Sequence, residues 1–229
     1  MREQTADIGS AAGLIDVRMM VVVHCGFRRE LGLAAPAVRS VVAGDSRRAA
    51  TIADHVTLFT DAVHHHHTIE DEMLWDRLIE RVPAETKALV HLMEQQHGSV
   101  AALLAGCPDL VGRWRKGATA ADRDALAGHL DRLVAALGEH LDAEEAHVLP
   151  LMARYVTSEE WEAFTAAGMS SIPKRLLFVG FGMMLYEGDP EVMAIEIAKL
   201  PRPIRGVVPT LSRRAYRRYA TKIHRTPTP

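Results

Sequence analysis

Cysteine is nearly absent. The two present, Cys25 and Cys107, permit neither a disulfide framework nor a CxxC metal site, and both read as reduced thiols. No secretory leader is expected either: the opening MREQTADIGSAAGLID carries acids and no long apolar run, so the expected address is cytoplasmic. Aromatic residues make up only 5% of the chain. No segment alternates apolar and polar residues over a useful length, which argues against sheet. The most apolar stretch, IPKRLLFVGFGMMLYEG, falls short of the roughly 20 residues a membrane span requires and reads as a helix that caps a core. Nor is there a large net charge: 27 Lys+Arg stand against 29 Asp+Glu, and with 48% hydrophobic residues this composition excludes a disordered chain.

The near-neutral total hides an uneven distribution. Residues 171–229 hold 11 Lys+Arg and 4 Asp+Glu, net +7, which leaves 16 minus 25, or −9, for residues 1–170. Eleven of the twelve histidines lie in the acidic part, and only His224 lies in the basic one. Chemistry is therefore sought first before residue 171.

Four long segments before residue 156 repeat apolar residues at three- and four-residue steps, which predicts an all-α fold. The first runs from Asp16 to Leu33 and is closed by Gly32 and Pro36; the second runs from Ser46 to Val82, ended by Pro83. The third spans Ala84–Leu104, with GCPDLVGRWRKG read as a loop, and the fourth opens at the Thr119/Asp122 capping box and continues to Tyr155. Short connections fit an up-down-up-down four-helix bundle over 14–155. Residues 156–229 read as a helical C-terminal extension: a capping box at Thr157/Glu160, an N-cap at Asp189 before Pro190, and a basic final helix SRRAYRRYATKIHR. That tail leaves three contacts open: its own acidic bundle, an acidic partner or an anionic membrane surface. No nucleic-acid motif accompanies the charge, so none is expected as partner.

Each bundle helix places a histidine on its inner face: His24, His66, His97 and His140. Two of them are followed four residues on by glutamate, as His66–Glu70 and His140–Glu144, one helical turn apart and on one face. A second acid follows each glutamate directly, so the two segments form an internal repeat. Burying four imidazoles and two carboxylates among Leu, Val and Met is costly unless a metal neutralises them. Nitrogen and oxygen donors without thiolate suit iron, and two ions bridged by two carboxylates would keep positions for bridging solvent and a small exogenous ligand. In the run His64–His67 successive side chains point 100° apart, so His66 is chosen and His67 is the alternative. Glu145 is the alternative to Glu144. His55 lies too far along its helix to share the metal and reads as lining an entrance. His91, His129 and His147 read as surface or rim residues, and Cys25 as a small buried filler.

The paired HxxxE segments resemble the hemerythrin-like HHE cation-binding family over residues 14–155. The resemblance implies a non-haem di-iron centre with His24, His66, His97 and His140 as terminal ligands and Glu70 and Glu144 as bridges. It implies a partner that is O2, nitric oxide or peroxide, and leaves open catalase-like or NO-reducing turnover. The alternative is a metal-dependent sensor whose basic tail engages a partner without turnover. Two positions depart from the oxygen-carrying members of the family: Met93 stands where those have a histidine, and Glu144 is four rather than five residues after His140. Fewer imidazoles favour sensing, iron handling, peroxide or NO chemistry over stable O2 carriage.

Overall fold

The computed structural model describes residues 14–170 and 172–229. Residues 1–13, which carry the reading of an absent secretory leader, lie outside the described residues. The described chain is all-helical and contains no strand. The helices are α1 (Arg18–Gly32), α2 (Ala34–Arg39), α3 (Ser46–Glu70), α4 (Asp76–Arg81), α5 (Lys87–Gly117), α6 (Ala120–Ala143), α7 (Leu149–Tyr155), α8 (Ser158–Ser170), α9 (Leu177–Glu187), α10 (Pro190–Lys199), α11 (Arg202–Arg205) and α12 (Val208–His224).

Local chemistry sets most of the boundaries. Asp45 caps α3 by accepting from the Arg48 amide, and Thr119 caps α6 by accepting from the Asp122 amide. Thr157 and Glu160 satisfy each other's amides reciprocally, and Asp189 accepts from Glu191 and Val192 ahead of α10. Val82, held extended before Pro83, ends α4. Gly32 does not end the first helical region, because α2 follows at once and carries Pro36 in its first turn.

One boundary differs from the sequence expectation. The stretch 106–117, expected as a loop, is the last third of α5, which runs through Pro108 to a left-handed Ala118. The apolar stripe explains it: Val100, Leu104, Cys107, Val111 and Trp114 are all buried at alternating three- and four-residue steps. Burying that stripe outweighs the hydrogen bond lost at proline. Gly106 leaves room for the His129 ring, whose Nε2 lies 2.7 Å from the Leu103 carbonyl, so His129 is half-buried structure rather than rim.

Packing places the histidines in one layer. A first apolar cluster includes Phe27, Val63, Val100 and Leu137, and a second includes Met20, Ile69, Met93 and Val148. On three of the long helices the inward histidine falls between the contributions to the two, His24 between Met20 and Phe27, His66 between Val63 and Ile69, His97 between Met93 and Val100; in the fourth segment His140 sits among Leu137 and Leu141 of the first cluster, and the second begins beyond α6 at Val148. The sense of passage reverses from each of these helices to the next.

The extension shares these cores. α8 adds Trp161 and Phe164 to the second cluster, and α12 adds Tyr216, Ala220 and Ile223 to the first. α9 packs so closely on α12 that any side chain at Gly182 would collide with the Ser212 carbonyl. The basic tail is thus docked on its own chain, by chemistry as well as by packing. Glu30 of α1, fully buried, accepts from Arg29 (2.9 Å) and the Tyr216 hydroxyl (2.8 Å), and its second oxygen lies 3.0 Å from His224 Nε2. His55, read from sequence as lining an entrance, is instead buried in this network, with Nδ1 2.8 Å from the Tyr219 hydroxyl.

Both acids and bases here make the fold sensitive to low pH. Burial pushes the Glu30 carboxyl up, but the hydrogen bond from His224 and the charges of His55 and Arg29 outweigh it and bring the value to about 2. Burial holds His55 down to about 4, against an ordinary 6.5. As pH falls the unfolded chain takes up a proton at His55 first, between 6.5 and 4, and one at Glu30 between 4.5 and 2, while the folded chain resists both. Stability is therefore lost on acidification, beginning below about pH 6.5. Unfolding midpoints measured between pH 7 and 4 should fall less steeply in His55→Gln than in the wild type; equal slopes would contradict this role.

Candidate metal centre

The centre forms where α1, α3, α5 and α6 face one another, and it contains all six residues singled out from sequence. His24, Glu70, His140 and Glu144 are fully buried, and His66 and His97 nearly so. The imidazoles come in two pairs, each meeting nitrogen to nitrogen: His24 Nε2 and His66 Nε2 are 3.2 Å apart, and His97 Nε2 and His140 Nε2 are 3.1 Å apart. Two imidazoles holding one ion at about 2.1 Å and a right angle would be separated by about 3.0 Å. The two glutamates lie between the pairs. Glu70 directs Oε1 to His66 (3.2 Å) and Oε2 to His97 (3.5 Å), while Glu144 Oε2 is 3.6 Å from His24 and 3.5 Å from His140.

Fit to a metal can be tested on the hydrogen bonding. All four carboxylate oxygens of Glu70 and Glu144 are buried and accept no hydrogen bond. Buried carboxylates normally have partners; a cation between the two, or in its absence a proton held by the pair, would compensate these oxygens. Burial, and then the neighbouring Glu144, pushes the Glu70 carboxyl well above the usual range; burial also raises Glu144. Burial and the surrounding imidazoles hold His66 far below its ordinary value and bring His140 to about 3. Neutral imidazoles keep a lone pair free for a metal. The residues present fit a cation centre with nitrogen and oxygen donors.

Two outer acids orient His24 and His97, and they are the second acids of the sequence repeat. Glu145 Oε1 lies 2.9 Å from His24 Nδ1 and is held by Arg28 at 2.6 Å; Asp71 Oδ1 lies 2.7 Å from His97 Nδ1 and accepts from the Trp75 indole at 2.9 Å. Although burial works the other way, the bonds from His24 and Arg28 keep the Glu145 carboxyl below its ordinary value. An ionised carboxylate only accepts, so each Nδ1 donates and each Nε2 lone pair turns to the centre. Glu145, the sequence alternative to Glu144, thus orients His24 from behind.

This double use of adjacent acids depends on backbone geometry the sequence did not announce. π-helical turns span Asp71–Trp75, directly after the first HxxxE, and Glu144–Val148, starting at the glutamate of the second. The extra residue shifts the register beyond Glu70, so Leu74, Trp75 and Leu78 are buried, whereas Met73 and Arg77, which an unbroken α-helix would carry on the face of Glu70, are only half-buried. Arg77 instead lies 3.6 Å from Glu160 at the start of α8.

His67 also enters the site. It is 4% exposed, and one of its nitrogens lies within 4.8 Å of donor atoms of Glu70, His97 and His140. His66 and His67, treated as alternatives in the sequence, both face inward. His91 and His147 are exposed, as expected. Both cysteines are free thiols; Cys107 is buried and Cys25 half-buried.

Two imidazole pairs flanking two unpartnered carboxylates, inside a helical protein, define a class: helical proteins with a buried carboxylate–imidazole cation site. The hemerythrin HHE cation binding domain matches residues 16–152, more than half of the chain. The chain belongs to that family. No curated protein and no solved structure matches it. No helix among the described residues is long and apolar enough to cross a membrane.

Proposed function

We propose that this protein holds a non-haem di-iron centre in an up-down-up-down four-helix bundle formed by residues 14–155, with residues 156–229 as a helical extension. The observation that carries the reading is the set of four buried carboxylate oxygens without donors, set between two imidazole pairs at 3.1 and 3.2 Å. In this reading His24 and His66 would hold one iron, His97 and His140 the other, and Glu70 and Glu144 would be shared between them, with solvent completing the bridge. Bound iron would supply Lewis acidity and one-electron chemistry toward O2, peroxide or NO. The chain's own part is to exclude bulk water with two apolar layers, to fix the imidazoles through Asp71 and Glu145, and to leave ligand positions unfilled.

Met93 supports a reactive centre over a carrier. Its thioether is fully buried in the second apolar cluster, at a place where an imidazole could have served, and thioether suits ferric iron poorly. Reduced under anaerobic conditions and exposed separately to O2, H2O2 and NO, the protein should lose its reduced state rapidly in air and consume peroxide or NO. Met93→His should slow the air oxidation. A wild-type protein that carries O2 reversibly for hours, unchanged by Met93→His, would contradict this preference.

A further inference from the structure

We infer that His67 is a distal imidazole which does not ligate metal but donates a hydrogen bond to the small ligand that enters the centre. The inference rests on the di-iron reading. It starts from an unusual condition: His67 is almost completely buried, yet neither ring nitrogen has a hydrogen-bond partner. A neutral imidazole always carries one N–H, and a buried N–H without an acceptor is rare. Some acceptor absent from the protein is required.

Geometry decides between ligand and donor. An imidazole binds metal along a lone pair that lies in the plane of its ring. The His67 and His97 rings are within 8° of parallel with centroids 4.1 Å apart, so they are stacked in separate planes. Two parallel planes have no point in common, and an ion in the plane of His97 is therefore out of the plane of His67. By contrast, His97 and His140 are inclined at 72° and meet at their nitrogens, as two ligands of one ion can. His67 stands edge-on to His140 as well, at 4.8 Å.

Access supplies the other half of the argument. A cleft of about 370 Å³ opens between α3 and α5, and His67 and His97 line it together with Asp71, Trp75, Glu94 and Gly98. A small molecule passing through this cleft meets His67 beside the imidazole pair of α5 and α6. What the N–H selects is an acceptor: an anion or a diatomic with lone pairs directed at the ring, of the size of azide, peroxide or NO. Apolar gases gain nothing from it.

Azide is the probe. Iron-loaded wild type, His67→Phe and His67→Gln should hold the same iron per chain. Azide, titrated by absorption, should bind His67→Phe about tenfold or more weakly, since a hydrogen bond to an anion is lost. His67→Gln, which restores an N–H donor, should recover part of the affinity and shift the absorption band of the azide complex back toward wild type. Equal azide affinity in all three proteins would overturn the inference while leaving the di-iron reading intact. Folded His67→Phe or His67→Gln that has lost iron would overturn it in favour of a fifth imidazole ligand. A wild-type chain that takes up no iron would overturn the di-iron reading itself, and the role of His67 with it.

Discussion

Replacing Glu70 and Glu144 together with glutamine is expected to abolish metal retention and, at the same time, to stabilise the metal-free chain. Both carboxyls are fully buried and accept no hydrogen bond, and burial and mutual repulsion raise Glu70 well above its ordinary 4.5. In the metal-free fold such a group keeps its proton to higher pH than in the unfolded chain, where it ionises above 4.5, so stability is lost as pH rises. At pH 7 keeping a carboxyl neutral costs up to about 3 kcal/mol. Glutamine keeps the shape without that cost but is a poor ligand. Urea unfolding of the iron-stripped wild type and of Glu70→Gln/Glu144→Gln at pH 7 and pH 5 measures the effect. The variant should be more stable at pH 7, and its advantage should shrink at pH 5. A variant that keeps iron, or one less stable than the stripped wild type, would show that these carboxylates serve packing rather than metal.

The second large effect is expected at the opposite end of α1. Glu30→Ala removes the acceptor shared by Arg29, Tyr216 and His224, and leaves buried donors from α1 and α12 without a partner. Breaking a buried charged network by removing one partner costs about 3–5 kcal/mol. Arg29 retains an ion pair with Glu187, whose carboxylate is partly exposed, so part of its charge stays compensated. The loss should therefore fall mainly on α12. Limited proteolysis should cut Glu30→Ala within 208–224 under conditions in which wild type is intact, and urea unfolding should show the stability loss. Tyr216→Phe, which removes one hydrogen bond, should cost only about 1 kcal/mol. A Glu30→Ala protein within 1 kcal/mol of wild type would mean that apolar packing alone holds the tail.

The inward placement of the six candidate residues was legible because helical periodicity carries the information: His66 and Glu70, or His140 and Glu144, share a face at a spacing of four whatever the tertiary detail. Features that depend on several helices at once were not. The stretch from Gly106 to Gly117 has the composition of a loop, yet Cys107, Val111 and Trp114 continue the stripe of α5, and the burial available in the folded chain decides. The π-helical turns leave no composition signal; only the paired acids Glu70–Asp71 and Glu144–Glu145 hinted that two neighbours would both be used. In an unbroken α-helix Met73 and Arg77 would share the face of Glu70; with the turn at Asp71–Trp75, Leu74 and Leu78 are buried instead. Helical geometry at 100° per residue also made His66 and His67 look exclusive, whereas a site surrounded by four helices has room for both. His55, Glu30 and His224 are 25 or more residues apart, and nothing local ties them together.

The central claim is that two irons occupy one buried site, and iron-edge X-ray absorption on the 229-residue chain, combined with iron and zinc content, tests it most directly. The account predicts two irons per chain, a nitrogen and oxygen shell containing imidazole, and an iron neighbour to each iron, all lost in Glu70→Gln/Glu144→Gln. A folded wild-type chain that contains zinc, a single iron or no metal would contradict it.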